Sequence, residues 1–135
     1  VQGKERDGGS MRNMSFSLTT DQVRNKTKFV TRRLGWTFLK VGEYVQAVEK
    51  CQGLKKGEKI KKLTVIKVVS IGRQRLDWMT QKECDLEGFP KMTPKQFIKM
   101  FCNANKCDQS TYVTRIKFEY VIERNEISDL TFGYL

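Results

Sequence analysis

The residues best equipped for chemistry gather in one short stretch, KFVTRR at 28–33. It carries Lys28, Thr31, Arg32 and Arg33, with only Phe29 and Val30 between the lysine and the threonine. The chain contains no histidine, so no imidazole is available to titrate near neutral pH. A threonine here acts as a nucleophile only if another group takes its proton. Lys28 can do so only where burial or neighbouring cations bring its pKa down. Arg32 and Arg33 push in that direction, whereas a facing carboxylate pushes the other way. The same groups also suit plain binding, with the cations on an anionic group and the hydroxyl on the polar edge of a base. Strand alternation puts Thr31 and Arg33 on one face and Arg32 on the other. Lys28 sides with Arg32 if the strand already includes it, and joins Thr31 only if it lies in the turn before the strand.

The charge balance gives these cations a context. Twenty-six Lys and Arg against fifteen Asp and Glu make a net charge of +11. Residues 24–40 hold six cations and no acid, and residues 50–67 hold seven lysines against Glu58 alone. From Cys107 onward the balance turns slightly acidic. A basic front half suggests one positive face, the footprint of a phosphate-bearing partner; a merely solubilising lysine surface is the alternative. Lys55, Lys56 and Lys59 lie in a glycine-bearing, hairpin-like block with no aromatic of its own, which suits phosphate contact without sequence reading. Trp36, directly after Gly35, is the aromatic placed to stack on an unpaired base. Phe38 and Tyr44 are expected in the core, and Trp78 is expected to close the barrel.

Other chemistries find little support. Cys51, Cys84, Cys102 and Cys107 form no CxxC pair and are expected to be reduced and mostly buried. No metal and no cofactor is expected. No stretch approaches the ~20 apolar residues of a membrane span, and the polar opening lacks a signal-peptide core. Residues 1–13 read as a flexible leader or expression remnant, 14–124 as the folded domain and 125–135 as a C-terminal extension. The expected location is cytoplasmic.

The elements that must position the site are legible in part. TTDQ at 19–22, TQKE at 80–83 and TPKQ at 93–96 each fit a capping box. They predict helices over about 21–26, 81–87 and 94–103, with Pro94 at the first helical position of the third. Gly88 suits a left-handed stop after the second. Glu87 falls in that helix's last turn, where the macrodipole disfavours an anion by about 0.3–1 kcal/mol unless a cation faces it. Lys28 is the candidate cation, and an exposed Glu87 bearing the cost unaided is the alternative. Alternation predicts strands at 15–18, 29–33, 44–50, 59–76 with a bend or break at Gly72, and 111–123. The sum is an α+β domain of about five or six mostly antiparallel strands and two or three short helices, its sheet curled on itself.

Four blocks together resemble a known family: SFSLTTDQVRNKTKFVTRRLGW, LKVGEYVQAVEK, WMTQKECDLEGFPKMTPKQFIKMFC and VTRIKFEYV. In spacing and order they are similar to the ASCH (activating signal cointegrator homology) domains, which belong to the PUA-like β-barrels. The resemblance covers about residues 14–123, and its most specific parts are the Lys-x-x-Thr-x-Arg run and the KVG turn. It implies a cleft for RNA or a nucleoside between barrel and helices. One branch of that family hydrolyses N4-acetylcytidine with a lysine, a threonine and a glutamate. Lys28 and Thr31 match the first two, Glu87 matches the third on an ungapped reading from Thr80, and Arg33 matches a basic residue beside the pocket. Phe29 departs from the pattern, since many members carry a threonine there, which implies a more apolar rim.

Three functions follow as expectations. The first is an RNA- or modified-nucleoside-binding module, with Arg32, Arg33, Trp36, Lys55, Lys56 and Lys59 as ligand contacts. The second is an amidohydrolase of N4-acetylcytidine or related amides, with Lys28, Thr31 and Glu87 catalytic. The third is an adaptor for an acidic protein partner.

Overall fold

The computed structural model describes residues 11–122 of the chain. Five strands and three α-helices follow one another as β1 (Arg12–Ser15), α1 (Thr20–Arg24), β2 (Val30–Arg33), β3 (Tyr44–Val48), β4 (Lys62–Arg75), α2 (Gln81–Leu86), α3 (Pro94–Asn105) and β5 (Tyr112–Tyr120), with a 3₁₀ turn at Leu76–Trp78. The strands form one curled sheet in the order β1-β3-β4-β5-β2. β1 pairs with β3 in parallel; every other pairing is antiparallel. β1 and β2 are therefore the two open edges.

Alternation along β5 explains why the sheet separates two cores. Ile116 and Phe118 point into a cluster with Met14, Phe16, Val45, Ile66 and Val68. Val113 points the other way, to Leu76, Cys84, Phe97 and Phe101 beneath the helices. Burying one such side chain stabilises the fold by about 1.5–3 kcal/mol, so each face of β5 is firmly committed.

Several boundaries differ from the sequence reading for identifiable reasons. The first strand is Arg12–Ser15 rather than 15–18, and it begins two residues inside the stretch read as leader. Parallel pairing of Met14 with Ala47 buries Met14 completely. Gly72 neither bends nor breaks β4; it stays in register opposite Arg115, and the irregularity falls between Val68 and Ser70. The Thr19 capping box does not form. Thr19 makes no side-chain cap bond, and α1 spans only Thr20–Arg24, with Lys26 adopting a left-handed φ of 59° just beyond it. At α2 half of the box forms: Thr80 accepts from the Glu83 amide, while the Glu83 carboxylate is engaged elsewhere. At α3 the full box is present, with Pro94 in the first turn. Trp78 does not close the barrel. It is 55% exposed and meets Tyr112 edge-on, while Leu76 takes the interior place. The segment 125–135 lies outside the described residues.

Candidate functional site

The two sheet edges leave a gap, and the site lies there. The last residue of β1 and the chain that follows it (Ser15 to Thr19), together with edge strand β2, line a cavity of about 370 Å³, with α3 contributing Phe97, Met100, Phe101, Ala104 and Asn105. Lys28, Thr31, Arg32, Arg33 and Glu87 all line it. Residues expected from sequence to work together thus reach one hollow from β2, the turn before it and the end of α2.

The buried charges form an alternating chain. Lys28 Nζ donates to Glu87 Oε1 at 2.6 Å and to the Glu87 main-chain carbonyl at 2.9 Å. Arg32 Nη1 donates to Glu87 Oε2 at 3.0 Å, and its Nη2 donates to Glu83 Oε1 at 2.5 Å and Gln74 Oε1 at 2.9 Å. Arg115 closes the chain with two bonds to Glu83, at 2.6 and 3.1 Å. Lys28 sits before the strand yet shares Glu87 with Arg32, because both reach round the open edge to the C-terminus of α2. There Lys28 answers the helix dipole and an end carbonyl as well as the carboxylate.

The charges do not balance. Lys28, Arg32 and Arg115 face Glu87 and Glu83, leaving one positive charge, and Arg33 raises the surplus to two. Burial lowers the Lys28 pKa; Glu87 opposes that shift, and Arg33 and Arg32 reinforce it. Burial alone would raise the Glu83 carboxyl, but hydrogen bonds from Arg115 and Arg32 outweigh it and hold the group at about 2. Arg33 is lowered to about 10, chiefly by burial against the pull of Glu87, and remains cationic at neutral pH.

Thr31 and Arg33 share one face of β2, as alternation requires, and they touch: Arg33 Nε donates to Thr31 Oγ1 at 3.0 Å. The Arg33 guanidinium also lies over the Phe16 ring, 4.7 Å from its centroid. Among the described residues, the Thr31 hydroxyl makes no hydrogen bond to Lys28 or Glu87. The carboxylate is fully engaged by two cations, so the resting site holds no formed nucleophile–base pair.

Other expected contacts lie elsewhere. Trp36 is buried at 9% exposure in the first core against Phe38, ring centroids 5.2 Å apart, which leaves no face for a base. Tyr44 is exposed rather than in the core, with Lys67 over its ring. Phe29 does not line the cavity; it packs edge-on against Tyr120. Lys55, Lys56 and Lys59 are exposed in the loop joining β3 to β4 and do not line the cavity. The four cysteines carry no disulfide, and among the described residues no His, Cys, Asp or Glu group is suited to hold a metal ion.

The structure adds residues that sequence did not single out. Arg115 lies directly opposite Arg32 on the neighbouring strand, a like-charge pairing that is unfavourable alone, and Glu83 between them resolves it. Tyr120 donates its hydroxyl to the Lys28 carbonyl at 2.6 Å, which fixes the turn carrying the lysine; burial pushes its pKa up to about 12.

The arrangement of a curled five-stranded sheet with helices over its open edge can be set beside known proteins. No protein-family model matches the sequence, and no curated protein matches it. Solved structures do match. An ASCH domain from Lactobacillus crispatus JV V101 superposes with a TM-score of 0.55 at 13% identity, over 82% of this chain and 79% of that one. The chain has the ASCH-domain fold. A protein from Enterococcus faecalis V583, of the DUF984 family, shares it with a TM-score of 0.59 at 12% identity, over 85% of this chain and 82% of that one. In this ASCH-type sheet the Lys-x-x-Thr-x-Arg run forms edge strand β2 and the turn before it, where its side chains meet the end of α2. Among the described residues no helix is long and apolar enough to cross a membrane.

Proposed function

We propose that the protein is an RNA-binding module that takes one nucleotide-sized unit into the cavity between β2 and α3. The observation that carries this reading is the cationic surplus of the cavity wall: Lys28, Arg32 and Arg33 against Glu87 alone. The facing wall, with Phe89, Phe97, Met100 and Phe101, is apolar and suits the face of a base. The lysines at 55, 56 and 59 extend the positive field outside the cavity and give phosphate contacts along a strand. Titration of single-stranded RNA at several salt concentrations tests this. Neutralising about four phosphates gives a log–log slope of about −3; a flat salt response contradicts the reading.

Amidohydrolysis is the second reading, and the convergence of Lys28, Thr31 and Glu87 on one cavity favours it. For turnover, ligand entry has to draw the carboxylate or the lysine away from its partner so that it can take the Thr31 proton. This reading expects conversion of N4-acetylcytidine to cytidine, lost in Lys28→Ala, Thr31→Ala and Glu87→Ala. No product from wild-type protein across a panel of acylated nucleosides rules it out.

A further inference from the structure

The cavity contains two polar groups whose bonding capacity the protein leaves open. Among the described residues, Arg33 uses only Nε, on Thr31; neither Nη1 nor Nη2 has a hydrogen-bond partner. The guanidinium is held at its Nε edge by Thr31 and lies over the Phe16 ring, so its outer fork is oriented without a carboxylate to satisfy it. Thr19 is the second. It is 6% exposed and lines the cavity, yet its hydroxyl makes no cap bond to α1 and has no partner among the described residues. Sequence assigns that hydroxyl to a helix end, and the structure leaves it to the cavity. Arg32, on the same wall, adds a buried Nε–H without an acceptor.

An oriented guanidinium fork matches the paired oxygens of a phosphate, and a hydroxyl supplies one more donor to it. Glu87 cannot occupy the fork, because Lys28 and Arg32 already hold it. A volume of about 370 Å³ is at the small end for organic ligands and is sized for one nucleotide rather than two.

We infer that the cavity selects a nucleotide over the corresponding nucleoside, with the phosphate on the Arg33 fork and the Thr19 hydroxyl and the base against the Phe97–Phe101 wall. This rests on the nucleotide-binding reading above and names the group that decides specificity within it. The phosphate can come from a free nucleoside monophosphate or from a residue within a strand.

The test measures binding of each common nucleoside, its 5′-monophosphate and a single-stranded RNA oligomer to wild-type protein, Arg33→Met, Arg33→Lys and Thr19→Val, with folding checked by circular dichroism. At least one monophosphate is expected to bind ten-fold or more tighter than its nucleoside. Arg33→Met should remove that advantage, Arg33→Lys should restore part of it, and Thr19→Val should weaken the phosphate-bearing ligands several-fold. An Arg33 effect on the oligomer without an effect on monophosphates assigns the phosphate to a strand. Equal affinity for nucleoside and nucleotide, with RNA unaffected by Arg33→Met, overturns the inference while leaving nucleoside binding intact. No binding of any of the three overturns both.

Discussion

Glu87 is the residue on which the site turns. Two cations converge on it in a buried setting, and desolvating three charges is offset only while all of them stay paired. Glu87→Gln leaves both Lys28 and Arg32 without their shared anion and is expected to destabilise the protein by about 3–5 kcal/mol. Lys28→Met removes one of two cations, so Glu87 keeps Arg32, and the cost should be smaller. Urea unfolding of the two variants checks the order, and a costlier Lys28→Met contradicts the shared-anion account. Glu83 makes a pH prediction. Its folded pKa, about 2, lies below the ordinary 4.5, so its contribution is fully present above about pH 4.5 and fades as pH falls toward 2. Glu83→Gln should flatten that part of the acid stability profile; an unchanged fall in the variant contradicts it. Much of this was legible. KFVTRR and the awkward anion at a helix end both pointed to Lys28 facing Glu87. Arg115 was not legible, because its role depends on strand register, which alternation alone leaves open.

At the scale of elements, the junctions carry the site. Gly88 follows Glu87 with φ at +96°, and a Cβ there would lie 2.8 Å from Gln22 Cγ and 3.4 Å from Lys28 Cβ. Gly88→Ala therefore strains the backbone and presses on the lysine's own root. It should cost more than 1 kcal/mol and weaken ligand binding along with stability. Equal affinity in the folded variant would separate the junction from the site. Thr93→Ala, which removes the α3 capping box far from Lys28, should cost about 1 kcal/mol. Capping boxes read well where the second residue was free to reach back, as Gln96 does. At α1 the box is absent because Gln22 instead donates to the Gly88 carbonyl at 3.3 Å, and at α2 only its Thr80 half forms because arginines claim the Glu83 carboxylate. Tertiary bonds won each contest, and local sequence does not report them.

For the molecule as a whole, the sheet's failure to close creates the hollow, and the uneven charge supplies its field. The antiparallel, curled architecture was readable from alternation and short helices. The parallel β1–β3 pairing was not, because strand direction leaves no mark on four residues. Aromatic placement was the weakest reading: hydrophobicity could not tell a buried Trp36 from an exposed Trp78, since each depends on which way a turn faces. The lysine loop belongs to this scale. Replacing Lys55, Lys56 and Lys59 together with alanine should reduce the salt slope of RNA binding by about 2 and leave base preference unchanged; a lost preference would place the loop in base reading.

The central claim is that ligand enters the cavity between β2 and α3, and obstruction tests it most directly. Ala104 is exposed on α3 and lines that cavity, so Ala104→Trp should fill it without disturbing either core. The RNA affinity of this variant, measured beside an unchanged unfolding midpoint, should fall at least ten-fold. Wild-type affinity in a folded Ala104→Trp protein would contradict the account.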